Sequence, residues 1–247
     1  MMTLTHVFFS PGGETACVAR HVQHQTGGVL IDLTPVHARQ NFDLEKQHEH
    51  IALYVPVYAG HVPKPLMPLL QKLRTHRLSI FVTYGGVTAG ITVREVASAI
   101  HHTCLCSYAI IPVKHTYGGF QNTTDLRQLD PLIRAMTANH PNPVTPPNTR
   151  WPLWLDWTES LRTRFNYRLK HHPERCTQCK RCKQACPVQA IKENYRLDPS
   201  CLRCGRCVRV CQTSGFTATR SWFLKRYLAK SRKPILRLCF HPQDSHA

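Results

Sequence analysis

The sequence predicts an α/β protein, an open parallel sheet covered by helices on both faces, joined to a small cysteine-rich domain. Three observations carry that expectation. Short apolar, strand-like runs alternate with helically spaced runs along the first part of the chain. A proline-rich stretch, HPNPVTPPNT from His140 to Thr149, then interrupts the rhythm. Beyond it, eight of the twelve cysteines fall between Cys176 and Cys211. The expected limits are residues 1–140 for the first domain, 141–150 for a linker and 151–247 for the second.

The front elements follow in order. THVFFS is an apolar strand ended by Pro11-Gly12-Gly13, and ETACVARHVQHQ has helical spacing through Ala16, Ala19 and Val22. GVLIDLT and HIALYVPVY are the second and third strands, the latter stopped at Ala59-Gly60. PKPLMPLLQKLRTH opens on prolines suited to a helix start and closes on cations suited to its end. LSIFVTY is a strand ending at Gly85-Gly86, GITVREVASAIHHT a helix, CSYAIIPV a strand and TTDLRQLDPLIRAMTANH a helix. Strands separated by helices at this rhythm argue for a parallel sheet with both faces covered.

Past the linker, WPLWLDWTESLRTRFNYRLK is expected to form an amphipathic helix with Trp154, Trp157, Leu161, Phe165 and Leu169 on one stripe. A last basic helix around SWFLKRYLAKSRK breaks at Pro234. No segment reaches the ~18 consecutive apolar residues that a membrane span requires. The start, MMTLTHVFFSPGGET, lacks a positive flank and its apolar run is too short for a signal peptide, so a cytoplasmic protein is expected. In such a compartment twelve cysteines are not a disulfide framework. Cys17, Cys104, Cys106 and Cys239 are scattered and read as small buried or neutral residues. The sixteen histidines, among them His48, His50, His101-His102 and His171-His172, join no cysteine or carboxylate pattern and are expected at the surface. No nucleophile-and-base constellation supports a hydrolase.

The two cysteine runs share one spacing. CTQCKRCKQACP places Cys176, Cys179, Cys182 and Cys186 two, two and three residues apart, before Pro187. CLRCGRCVRVC repeats this with Cys201, Cys204, Cys207 and Cys211, followed by Gln212 rather than proline. Short loops let three thiolates converge on one face of an iron–sulfur cube, leaving the fourth for another cube. Zinc also binds paired Cys-x-x-Cys units, but two consecutive three-cysteine loops with a delayed fourth are not its usual pattern. The runs resemble those of bacterial two-cluster ferredoxins, in which the fourth cysteine crosses over. That resemblance implies two 4Fe–4S clusters, one on Cys176, Cys179, Cys182 and Cys211, the other on Cys201, Cys204, Cys207 and Cys186.

Three front loops sit at strand ends, where ligands of open parallel sheets bind. SPGGET (Ser10 to Thr15) offers hydroxyls, glycine amides and a helix N-terminus to a phosphate, without the lysine of a Walker loop. VPVYAGHVPKP (Val55 to Pro65) and VTYGGVTAG (Val82 to Gly90) each bring a tyrosine and glycines. Together with the cysteines, these loops are similar to those of the flavodoxin–ferredoxin fusion family. The resemblance implies a flavodoxin-like, doubly wound sheet of five parallel strands in the order 2-1-3-4-5, plus a small α+β two-cluster ferredoxin domain. It implies FMN with its phosphate on Ser10, Gly12, Gly13, Glu14 and Thr15. The flavin ring would lie between Pro56, Val57, Tyr58, Ala59 and Gly60 and, opposite, Thr83, Tyr84, Gly85 and Gly86, with Tyr58 and Tyr84 stacking. Gly12 stands where the family has a threonine, and the Glu14 carboxylate lies beside the phosphate site.

A flavin exchanges two electrons or one, and each cluster carries one, so the expected function is electron transfer from flavin to clusters to a partner redox protein. Two other readings compete: a flavin-dependent reductase of a small acceptor, and a flavin-free docking module fused to a ferredoxin. Charge bears on the partner. The chain has 11 Lys/Arg against 8 Asp/Glu up to Thr149, and 21 against 6 from Arg150 onward. A basic back third favours an acidic docking partner such as a ferredoxin or flavodoxin. An anionic membrane surface is a lesser alternative, through Trp222, Phe223, Tyr227 and Leu228 set against Lys225, Arg226, Lys230, Arg232 and Lys233. Nucleic acid is not expected, since no binding motif accompanies the charge. Cations between the cysteines (Lys180, Arg181, Lys183, Arg203, Arg206, Arg209) also favour reduced clusters. One charge at ~8 Å in an effective dielectric of ~40 contributes about 1 kcal/mol, on the order of 40 mV for one electron.

Overall fold

A computed structural model describes residues 3–118, 124–137, 142–149, 151, 163–229 and 234–241. Strands β1 (Leu4–Phe8), β2 (Val29–Asp32), β3 (Gln47–Pro56), β4 (Arg74–Tyr84) and β5 (Cys104–Pro112) form one sheet in the order β2-β1-β3-β4-β5. All four pairings are parallel. The doubly wound order 2-1-3-4-5 is thus present.

Side-chain alternation along the central strands divides the core. Ile51, Leu53 and Val55 of β3, with Val7, Leu78, Ile80 and Val82, face α3 (Met67–Leu70) and α4 (Thr92–Ala99) through Leu70, Val93 and Val96. Ala52 and Tyr54, with Phe8, Phe81, Ala109 and Ile111, face α1 (Glu14–Thr26) and α5 (Asp130–Met136) through Ala19, Val22, Leu132 and Ile133. Burial on both faces is why β3 and β4 read as almost unbroken apolar runs.

The expected helix over 63–76 is shorter than its pattern suggested. A 3₁₀ turn at Lys64–Leu66 leads into α3, and β4 already starts at Arg74. Arg74 is exposed, Thr75 buried and His76 exposed, a period of two that replaces the helical period once Gln47–His50 of β3 is available for pairing. A short α2 (Val36–Gln40), without a buried residue, lies between β2 and β3.

In the cysteine-rich part, β6 (Tyr167–His171) pairs antiparallel with β7 (Phe216–Arg220). This corrects the helix expected from Trp151 to Lys170 at its C-terminal end. Leu169 suits a helical stripe, but Tyr167 and Leu169 also alternate with exposed Arg168 and Lys170, and β7 supplies the hydrogen bonds. Trp154, Trp157 and Leu161 of that stripe lie outside the described residues, and Phe165 is 64% exposed. Short helices α6 (Arg181–Gln184) and α7 (Arg206–Val210) each start one residue before the third cysteine of a run and carry it. The basic helix α8 spans Trp222–Ala229 with no buried residue, leaving Trp222 and Phe223 at 63% and 73% exposure. The chain then returns to the front sheet, where β8 (Arg237–Cys239) pairs antiparallel with β5 and covers its edge. Among the described residues no helix is long and apolar enough to cross a membrane.

His48 and His50 are not at the surface. They face inward along the start of β3, alternating with exposed Gln47 and Glu49, and are 4% and 0% exposed. His50 Nε2 meets Ser79 Oγ at 3.0 Å, while burial, then Arg77 and His6, push its pKa down from 6.5 to about 4. The unfolded chain therefore takes up a proton that the fold resists. Stability tied to neutral His50 is whole above about 6.5 and drains toward about pH 4, by up to about 1.4 kcal/mol per pH unit. Urea midpoints measured from pH 7 to 4.5 are expected to fall less steeply in His50→Asn than in the parent; equal slopes would show that His50 does not carry the acid limb.

Candidate cofactor sites

Each cysteine of the second run lies 25 positions after its counterpart in the first, and the backbone repeats with it. Gln178 and Arg203 have φ 54° and 55°, Lys180 and Gly205 have 58° and 67°, and Gln189 and Ser214 have 50° and 55°. Such left-handed residues are unusual outside glycine. Their recurrence at matching positions means both runs curl in the same way and aim their thiols alike.

The thiols converge in the crossed sets. Cys176, Cys179, Cys182 and Cys211 line one concavity of about 290 Å³, with Lys180, Arg181, Tyr195 and Gly215. Cys186, Cys201, Cys204 and Cys207 line the other, about 310 Å³, with Leu169, Leu202 and Arg206. A Cβ at Gly215 would lie 3.3 Å from Cys176 Cα and 3.5 Å from Cys211 Sγ, so the chain passes close to both runs at this residue. Each fourth cysteine receives a backbone N–H four residues on: Ala190 donates to Cys186 Sγ at 3.3 Å and Gly215 to Cys211 Sγ at 3.1 Å. Among the described residues no three His, Cys, Asp or Glu groups are placed to hold a single metal ion. As free thiols, Cys204 and Cys207 are pushed up to about 11 and 12, first by burial. Thiols so buried ionise when a metal centre takes them as ligands, and the four-sulfur chemistry of each set fits a cluster.

The front loops gather at the C-terminal edge of the sheet. Gly13, φ 99°, is the N-cap of α1 and supplies no side-chain cap, so the helix starts with its amides facing the loop except where Ser10 reaches one. Ser10 Oγ accepts from Ala16 N at 2.9 Å, and the Thr15 and Thr83 hydroxyls meet at 2.7 Å, joining the first and third loops. Tyr58 and His61 exchange two 2.9 Å backbone bonds around Ala59 and Gly60, both at positive φ, a tight hairpin turn at the end of β3. The two tyrosines expected to stack differ. Tyr58 is half-buried, and its phenol is raised well above the usual range by burial first, then by Cys204 and Tyr117. Tyr84 is 8% exposed in the core, and its hydroxyl donates to Ile235 O at 3.1 Å and accepts from Ile235 N at 3.0 Å.

Other rings occupy the glycine faces. A Cβ at Gly60 would lie 2.2 Å from the Trp151 ring, and one at Gly85 would lie 2.2 Å from the His115 ring. Neither Trp151 nor His115 was singled out in the sequence: Trp151 opens the stretch read as an amphipathic helix but lies outside its stripe, His115 follows the last parallel strand, and each meets its glycine only through the fold.

The second cysteine set is seated on this edge. Arg206 Nη1 donates to Ser10 O at 3.3 Å, and Arg209 Nη2 donates to Pro11 O at 2.6 Å while its Nη1 reaches Cys204 O at 3.1 Å. Arg39 donates to Leu33 O and Thr34 O, and its other nitrogen donates to Pro187 O, next to Cys186. Tyr117 stacks on Tyr167 at 4.0 Å. The first set points outward, with Cys179, Lys180 and Arg181 exposed.

Comparison with known proteins agrees with the geometry of the first run. Residues 169–192 match the model of the 4Fe-4S binding domain family. The cysteine-rich region is ferredoxin-like and binds iron–sulfur. No curated protein matches the chain. Among solved structures it is similar to a candidate flavoprotein from Bacteroides eggerthii, at 14% identity over 56% of this chain and 100% of that one, TM-score 0.38. A flavoprotein in complex with FMN from Lactobacillus acidophilus is similar at 17% identity over 42% of this chain and 89% of that one, TM-score 0.32. The Trp repressor binding protein from Bacillus subtilis is similar at 11% identity over 55% and 95%, TM-score 0.38.

Gly205 tests how tightly the second set is held. It has φ 67°, and an added Cβ would fall 2.8 Å from the Tyr167 hydroxyl. Gly205→Ala is expected to cost about 1–3 kcal/mol and to lower iron content under thermal challenge, with an unchanged melting curve counting against this packing.

Proposed function

We propose that the chain is an electron-transfer protein. In this reading a flavin site at the sheet edge communicates with a 4Fe–4S cluster on Cys186, Cys201, Cys204 and Cys207, which communicates with one on Cys176, Cys179, Cys182 and Cys211. The single observation that carries it is the seating of the second cysteine set on the 10–15 loop, with the first set facing outward. The order of stations follows: loop, inner cluster, outer cluster, partner. The repeated left-handed backbone supports a second cluster beside the one whose run matches the family model.

For FMN, the phosphate would meet the open amides of α1 and the small residues Ser10, Gly12, Gly13 and Thr15, with Glu14 half-exposed at the first helical turn. The ring would lie by Pro56, Val57, Tyr58, Ala59 and Gly60, and by Thr83, Gly85 and Gly86, with the Tyr84 side chain committed to Ile235. Bound there, a flavin would supply the step between two-electron and one-electron chemistry. Tyr58 would hold its neutral phenol between that ring and Cys204.

A second reading, a flavin-free docking platform, is favoured by the Trp151 and His115 rings that lie on Gly60 and Gly85. Cofactor stoichiometry on anaerobically purified protein separates the two. About eight irons, eight sulfides and one FMN per chain are expected. About eight irons with no flavin, even after adding FMN, would select the platform. About four irons would overturn the two-cluster relay.

The proposed partner is an acidic redox protein that meets the outer cluster at exposed Lys180 and Arg181. Reversing both charges (Lys180→Glu with Arg181→Glu) is expected to slow electron delivery to an acidic ferredoxin about tenfold or more at low salt and to remove most of its salt dependence. Unchanged stopped-flow rates would place docking elsewhere.

A further inference from the structure

Arg181 and Arg206 hold the same place in the two cysteine runs, each just before the third cysteine, yet their surroundings differ. Arg181 is exposed, whereas Arg206 is half-buried and lines the concavity of the inner set. From there Arg206 reaches across to the front sheet, its Nη1 donating to Ser10 O at 3.3 Å. Its Nε is buried and meets no acceptor within the protein. A buried guanidinium donor with no acceptor is costly, and the planar fork lets one arginine serve two acceptors on different sides.

We propose that Arg206 is a charge shared between the inner cluster and the 10–15 loop, with Nη1 holding the Ser10 carbonyl and the Nε–H left for the cluster's sulfur. One-electron reduction makes the cluster more negative by one charge while the guanidinium stays cationic, so Arg206 favours the reduced state. The same side chain holds the loop, and the cluster's redox state and the loop's rigidity are therefore linked, each biasing the other equally. Arg209, bound to the Cys204 and Pro11 carbonyls, braces this contact beside the concavity. The proposal rests on the reading of the inner set as a cluster site and is independent of flavin.

The test uses full-length, anaerobically purified protein and two readouts: midpoints by dithionite titration followed by electron paramagnetic resonance, and hydrogen exchange at the amides of residues 12–16. Arg206→Gln is expected to lower one midpoint only, by the equivalent of about a three- to tenfold loss in the reduction equilibrium (~59 mV at tenfold for one electron). It is also expected to speed loop exchange about threefold or more. Arg206→Lys keeps the charge but not the fork, so most of the midpoint returns while exchange stays fast. Arg181→Gln moves the other midpoint and leaves the loop unchanged. If Arg206→Gln moves neither readout, or Arg181→Gln loosens the loop as much, the proposal falls. If Arg206→Gln loses iron, Arg206→Lys carries the test: faster loop exchange with a midpoint near the parent's is expected, and unchanged exchange or a midpoint as low as with full charge loss overturns the proposal. About four irons in the parent protein would overturn both this and the two-cluster reading, whereas about eight irons with an inert Arg206→Gln would overturn this proposal alone.

Discussion

Because β1, β3, β4 and β5 run parallel, every connection between them must cross a face of the sheet, and every strand delivers its C-terminal end to one edge. The crossings explain the helices on both faces and the apolar alternation that divides the core. The common edge explains the site. Loops as far apart in sequence as Ser10–Thr15, Val57–Gly60 and Thr83–Gly86 become neighbours there, tied by the Thr15–Thr83 hydroxyl pair. Just past β1 the Ser10 and Pro11 carbonyls point outward, and the second cysteine run grips them through Arg206 and Arg209.

The grip is unusual in its chemistry. Arg206, Arg209 and Arg39 all bond backbone oxygens, at Ser10, Pro11 and Pro187, rather than carboxylates. A guanidinium facing a carbonyl keeps its charge unneutralised, which an ion pair would not. Positive charge can therefore serve adhesion and still act on a cluster beside it. On the outer set Lys180 and Arg181 remain exposed.

The cysteine-rich part has a small core of its own, chiefly Ile191, Phe216 and the cluster cysteines. Its thiols are buried in surroundings that raise Cys204 and Cys207 far above their ordinary range. A fold that spends its interior on thiols rather than aliphatic side chains depends on metal binding for stability, in the way small metal domains generally do. Seating the inner set on the large sheet adds to that support, and β8 returns the chain to the same sheet.

The cysteine spacing by itself determined the ferredoxin-like region, since a two-two-three interval repeated after 25 residues is a local, one-dimensional constraint. The sequence likewise determined the α/β class, because burial on two faces writes continuous apolar strands between amphipathic helices. It was less decisive wherever two periods fit the same residues. Arg74–Arg77 and Tyr167–His171 satisfy helical and alternating patterns alike, and only a partner strand, β3 in one case and β7 in the other, chose between them. Buried His48 and His50 escaped notice because polarity, read alone, places histidine outside. Tertiary structure alone decided what the front loops face. Trp151 on Gly60, His115 on Gly85, Tyr84 on Ile235 and Arg206 on Ser10 are contacts between residues far apart in the chain. Such contacts arise from shape and from backbone carbonyls, which leave no mark in the order of side chains.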